Sequence, residues 1–120
     1  MGDMVPRSTG MSGGGLPTVA AEDLHAKLGT GEAPLVLDVR TRDEFAAGHI
    51  TGAINIPHDE IGVRVPDLGP SRDREIVVCC AMGGRAAHAA AALRKAGFAN
   101  VRLLAGHMRG WCGAGHAVHR

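Results

Sequence analysis

The stretch Cys80-Ala81-Met82-Gly83-Gly84-Arg85 puts a thiol, two glycines and a guanidinium within six positions. A cysteine does nucleophilic work as its thiolate, which needs a positive or donor-rich surrounding. Upstream, Glu75-Ile76-Val77-Val78-Cys79 leads into Cys80 as a buried strand would. Downstream, the alanine-rich run from Ala86 to Ala96 reads as a helix beginning near Arg85. Only residues 81–84 separate strand from helix, so the backbone must turn sharply and can aim several N–H groups at one spot. That spot is the expected position of the Cys80 sulfur. With the positive end of a helix and Arg85 beside it, the thiolate is favoured. The chemistry this predicts is cysteine-based sulfur or anion chemistry.

Elements that can present such a loop are readable on both sides of it. Leu16 to Val19 fits a short edge strand, where Pro17 is tolerated, and Ala20 to Leu28 a helix burying Ala21, Leu24 and Leu28 up to Gly29. Leu35 to Val39 is a near-continuous apolar run interrupted by Asp38, as expected for a strand covered on both faces. Asp43 to Ala47 reads as a brief helix, Ala53 to Ile56 as a strand ended by Pro57, and Asp59 to Val65 as a helical turn or two. In the main helix Ala86, Ala89, Ala90, Leu93 and Ala96 share one face, while His88, Arg94 and Lys95 face outward. Val101 to Leu104 is a last strand and Met108 to Gly113 a short closing helix. Alternating strands and helices predict an α/β fold with a mostly parallel sheet, whose ligands bind beyond the carboxyl ends of strands. Cys80 stands at such an end.

Composition narrows the function further. A chain of 120 residues fits one domain. Residues 1–16, rich in Gly and Ser over most of their length, are expected to be a disordered tail preceding a domain at 17–120. A net charge of +1, no Tyr, one Trp and two Phe speak against nucleic-acid binding. No apolar run is long enough to span a bilayer, and the start of the chain lacks the layout of a signal peptide, so no membrane association and a cytoplasmic location are expected. Three cysteines, two of them adjacent, suit reduced thiols better than a disulfide framework. The seven histidines show no convincing metal-ligand spacing, so neither metal nor other cofactor is expected.

The residues also carry a resemblance. Leu37-Asp38-Val39-Arg40, then Glu44-Phe45, then Gly48-His49-Ile50-Thr51-Gly52-Ala53-Ile54-Asn55-Ile56-Pro57 resemble the N-terminal signature of rhodanese-like sulfurtransferase domains. Cys80 to Arg85 resembles that family's Cys-x-x-Gly-x-Arg active-site loop. Ala96 to Val101, Leu104-Ala105-Gly106 and Trp111 resemble its closing segment. The resemblance implies a rhodanese-like fold, about five parallel strands with helices on both faces. It also implies a Cys80 persulfide that takes sulfane sulfur from a small donor and passes it to a thiol or cyanide, with a protein donor or acceptor as a further option. Ala81 stands where many thiosulfate-using members carry a basic residue, Ala86 where Ser or Thr is common, and His107 where the second glycine of a closing pair is usual.

Competing readings attach to several residues. Counted from Cys79, the spacing to Arg85 is that of cysteine phosphatases, and an arsenate reductase would share the scaffold. Gly83, three residues after Cys80, selects the shorter sulfurtransferase register, and strand alternation leaves Cys79 for the core. The expected site is then Cys80 as nucleophile, with Ala81, Met82, Gly83, Gly84 and Arg85 forming the substrate-binding loop. Asp38 and Arg40 are candidates for the pocket rim, although Arg40 and Glu44, four apart, could simply form a local ion pair. His49 is expected to satisfy nearby backbone groups, Trp111 to anchor the edge of the core, and Cys112 to be incidental or a second thiol near the site. A carrier module, loaded and discharged by protein partners, is the alternative to an enzyme that turns over small molecules.

Overall fold

A computed structural model describes residues 11–12 and 16–120. Five strands run parallel: β2 (Leu16–Val19), β3 (Leu35–Asp38), β4 (Ile54–Asn55), β5 (Ile76–Cys79) and β6 (Val101–Leu104). A short β1 (Met11–Ser12) joins β2 antiparallel, giving the order β1-β2-β6-β5-β3-β4. Within the stretch expected to be a disordered tail, Met11–Ser12 is therefore strand-paired and Leu16 is buried. The rest of that stretch lies outside the described residues.

β5 sits between β6 and β3, and the Leu37–Val78 and Asp38–Cys79 pairings align the ends of β3 and β5. Because side chains alternate along a strand, the sheet divides the core in two. Leu37, Ile76, Val78 and Cys80 face α4 (Gly84–Lys95) and the loop helix α3 (Ile61–Arg64), with Ile61 in the same cluster. Val36, Val77 and Cys79 face α1 (Ala21–Lys27) and α5 (His107–Gly113), packing with Leu24 and Trp111. Ala86, Ala89, Ala90 and Leu93 are the buried face of α4. Ala96, expected on that face, caps the helix and is exposed, because α4 ends at Lys95.

Local signals explain the boundaries. α2 (Arg42–Ala47) begins one residue before the expected start because Thr41 and Glu44 form a capping box, each side chain taking the other's backbone N–H. Around α3, 3-10 turns at His58–Glu60 and Val65–Leu68 extend the expected helical turns into the loop, with Pro66 in the first turn of the second. After α5 the chain folds back, and His119 exchanges two backbone hydrogen bonds of 2.8 Å with His49.

Candidate active site

Cys80 lies one residue beyond β5 and is 1% exposed. Its Sγ accepts hydrogen bonds from the backbone N–H of Gly83 at 3.0 Å and of Ala86 at 3.4 Å. The first donor belongs to the loop and the second to the opening turn of α4, where N–H groups lack helical partners. Gly83 has φ +131, which side chains rarely tolerate, and a Cβ there would come within 3.2 Å of His107 Nε2. Glycine at position 83 therefore permits both the turn and the close approach. Met82 stands at the tip, 70% exposed.

The loop is held from a second direction. Met108 N–H donates to the Cys80 carbonyl at 2.9 Å and Arg109 N–H to the Ala81 carbonyl at 3.1 Å, so the first turn of α5 secures the loop backbone. Just before these residues, His107 Nδ1 accepts the Cys80 backbone N–H at 3.3 Å. These contacts cross 27 or more positions, beyond the reach of local pattern; the only local signal was the unusual Gly106-His107 pair.

Cys79 is fully buried on the opposite side of the sheet, with α1 and α5. Burial, and after it the nearby Asp38 charge, pushes its thiol well above the ordinary range, so it persists as S–H at neutral pH. The expected separation of the two cysteines is what the structure has. Of the residues expected to surround the Cys80 sulfur, Gly83 reaches it with its N–H, Met82 points out at the tip and the Arg85 guanidinium turns to Glu44.

Arg40 and Glu44 do not form the local ion pair the spacing suggested. Arg40 closes on Asp38, Nε to both carboxylate oxygens at 2.9 and 3.1 Å and Nη2 to Oδ2 at 2.7 Å, and Nη2 also reaches the Gly48 carbonyl at 2.7 Å. Asp38 has no exposed surface, so it does not line the rim itself; Arg40, which it holds, lines the adjoining groove. Burial opposes the Arg40 charge, and the Asp38 hydrogen bonds and charge more than offset it, leaving its pKa raised. Asn55 completes this corner, donating from Nδ2 to the carbonyls of Asp38 and Arg40 at 2.9 Å each.

Glu44 is drawn instead to Arg85, whose Nη1 and Nη2 meet its two oxygens at 2.7 and 3.1 Å. That pair, with the Thr41 N–H next in strength, lowers the Glu44 pKa to about 2. Arg85 thus reaches the loop with its fork already engaged. Arg40, Glu44, Met108 and Cys112 line an adjoining groove of about 240 Å³, which places the exposed Cys112 thiol on its wall. A second pocket, about 410 Å³, lies against Met82, Gly83, Gly84 and His107.

His49 behaves as expected, its Nδ1 bonding the Phe45 carbonyl at 2.8 Å while its ring stacks on Phe45. Trp111 is buried and donates to the Ala117 carbonyl at 3.1 Å. Among the described residues no three His, Cys, Asp or Glu side chains are grouped as a metal would need, and no helix is long and apolar enough to cross a membrane.

Comparison with known proteins places this geometry. The profile of the rhodanese-like domain matches residues 20–114. The Escherichia coli protein YibN is 40% identical over 83 residues, 68% of this chain and 58% of that protein, so the chain spans little more than half of that relative's length. A human thiosulfate:glutathione sulfurtransferase is 36% identical over 112 residues, covering 81% of this chain and 94% of the enzyme. Among solved structures, the human single-domain sulfurtransferase TSTD1 superposes with a TM-score of 0.71 at 34% identity, covering 82% of this chain and 97% of that one.

Proposed function

The chain belongs to the rhodanese-like domain family, and on that footing we propose that it transfers sulfane sulfur through a persulfide on Cys80. The carrying observation is the Cys80 Sγ seated on the N–H groups of Gly83 and Ala86. In the first half-reaction the Cys80 thiolate attacks the outer sulfur of a donor. A new S–S bond forms as the donor's own S–S bond breaks, and its electron pair leaves with sulfite or a thiolate. In the second, a thiol or cyanide attacks the terminal sulfur, the S–S bond to Cys80 breaks, and the thiolate returns. Both steps leave or pass through an anion at the sulfur, which is the charge the two N–H donors favour.

Ala81, Met82, Gly83, Gly84 and Arg85 form the loop around the transferred sulfur, with Arg85 held in place by the Glu44 pair. Asp38 holds Arg40, which lines the adjoining groove. The named activity of the human relative supports a small donor and a thiol acceptor. One observation favours a second reading, in which a protein persulfide is the donor and the domain is a carrier: Ala81 has no charge and Arg85 is engaged by Glu44, so neither offers a free cation to a departing sulfite. Three cysteines, two adjacent and one left over, are a sequence pattern that suits reduced thiols, which supports the cytoplasm as the working compartment.

Intact mass after incubation with thiosulfate, and separately with a low-molecular-weight persulfide, tests the reading. A gain of one sulfur that cyanide removes, absent in Cys80→Ser and retained in Cys79→Ser, is expected. Loading only from the persulfide selects the carrier reading. Phosphatase or arsenate reductase turnover dependent on either cysteine, without sulfur loading, would overturn both.

A further inference from the structure

His107 is the only non-glycine residue with positive φ, +52, among the described residues. A side chain in that conformation crowds its own backbone, so an isolated His there calls for a local reason. The reason lies in what its ring touches. Nδ1 takes the Cys80 backbone N–H at 3.3 Å, and Nε2 lies where a Cβ on Gly83 would come within 3.2 Å. One imidazole thus contacts the residue that carries the nucleophile and the residue whose N–H donates to its sulfur. An Nδ1 that accepts must be unprotonated, so the proton of the neutral ring is on Nε2. The residue is 7% exposed and lines the pocket beside the loop.

We propose that His107 is a positioning residue for the sulfur cradle, holding the Cys80–Gly83 loop while its ring is neutral and releasing it when Nδ1 gains a proton. This rests on the reading of Cys80 as the sulfur-carrying thiol. A protonated Nδ1 would set one N–H against another, and the first anchor of the loop would be lost. Burial disfavours the imidazolium and lowers its pKa, which keeps the anchor in place at neutral pH and lets it fail only on acidification. The surroundings add little opposing charge. β6 and α4 contribute the apolar Leu103, Leu104 and Ala87 to the same pocket, and Cys80 at the end of β5 is the titratable group in contact. Of the nearby cations, Arg85 on α4 is paired with Glu44, and Arg109 on α5 contacts Met82 Sδ at 3.5 Å.

Two substitutions separate acceptor from shape. Asn carries its Oδ1 at the same bond count from Cα as Nδ1, tolerates left-handed backbone and does not titrate. Gly fits the backbone and supplies no acceptor. The readouts are persulfide formation and discharge from about pH 8 to about pH 5, spanning the histidine range, together with iodoacetamide labelling of Cys80 resolved by peptide mass. His107→Asn is expected to match the wild type near pH 8. The ratio of wild-type to His107→Asn rate should then fall as pH falls, a ratio that cancels every pH dependence the two proteins share. His107→Gly is expected to be slower than His107→Asn by roughly tenfold in transfer and labelling at every pH, the factor for one lost buried hydrogen bond. It should be slower than the wild type by that factor near pH 8 only, the gap closing as the wild type loses its own anchor on acidification.

A flat ratio, a His107→Asn protein as slow as His107→Gly, or a His107→Gly protein as fast as wild type near pH 8 would each overturn the inference while leaving sulfur transfer intact. Labelling that follows His107 in a protein that never loads sulfur would support the loop anchor and sink the proposed function. Should one variant fail to fold, the other decides: a wild-type to His107→Asn ratio that stays flat with pH, or a His107→Gly protein as fast as wild type near pH 8, overturns the inference.

Discussion

Replacing Asp38 with Asn asks whether the Asp38–Arg40 corner binds substrate or holds the scaffold. The wild-type carboxylate takes three side-chain hydrogen bonds from Arg40 and also the Arg40 backbone N–H at 3.1 Å, with Asp38 wholly buried and Arg40 only 8% exposed. Removing the negative charge leaves a guanidinium in a largely water-free setting. Breaking such a pair costs about 3–5 kcal/mol, and the lower end applies because the Asn oxygen still accepts from Arg40. For a chain of 120 residues the unfolding entropy near the midpoint is roughly 0.25 kcal/mol per kelvin, so 3 kcal/mol lowers Tm by about 12 °C. Thermal unfolding followed by circular dichroism measures this, alongside sulfur transfer at a temperature where both proteins are folded. Transfer should stay within about threefold of wild type, since the hydrogen-bond donors to the Cys80 sulfur are Gly83 and Ala86 and not this pair. The double variant Asp38→Leu/Arg40→Met should recover much of the lost stability, because well-packed apolar side chains can replace a buried pair. A Tm within about 2 °C of wild type, or an unchanged Tm with transfer abolished, would refute the structural reading and return Asp38 to the substrate pocket.

Other outcomes follow from single contacts. Gly83→Ala meets both a forbidden φ and the His107 ring, and should lower transfer by tenfold or more while leaving the fold intact in circular dichroism. Acid unfolding reports Glu44: its pKa falls from 4.5 to about 2 on folding, so the pair with Arg85 contributes fully above the higher value, and its contribution is lost as pH drops through the lower one. Urea midpoints between pH 5 and pH 2 should therefore fall less steeply in Glu44→Gln than in the wild type, and parallel curves would contradict the pairing. Ala81→Arg places a cation beside Cys80 and should improve thiosulfate use chiefly through KM; an unchanged KM would show that charge at this position is not limiting. Native Cys79 should resist iodoacetamide at pH 8 and react only on unfolding, and rapid native labelling would contradict its burial.

Much of the site was legible in the chain because its signals are local. The register that selects Cys80 over Cys79 depends on Gly83 three positions on, and strand alternation alone sends the two thiols to opposite sides of the sheet. The parallel order of strands and helices followed from apolar runs and their breaks. The α4 boundary moved at Ala96, and the start of α2 moved with the unread Thr41 cap, since helix ends depend on one or two capping contacts. Tertiary structure alone decided who pairs with whom. Arg40 had Glu44 at helical spacing and Asp38 two residues away. Burial at the end of β3 favoured the carboxylate that could surround its charge, and Glu44 crossed 41 positions to Arg85. The anchoring of the loop by His107 and the first turn of α5 has the same origin. A sequence pattern records which face of an element is apolar, whereas a long-range polar partner is set by which chain ends the sheet brings side by side, and here it brings the end of β5 against the start of α5.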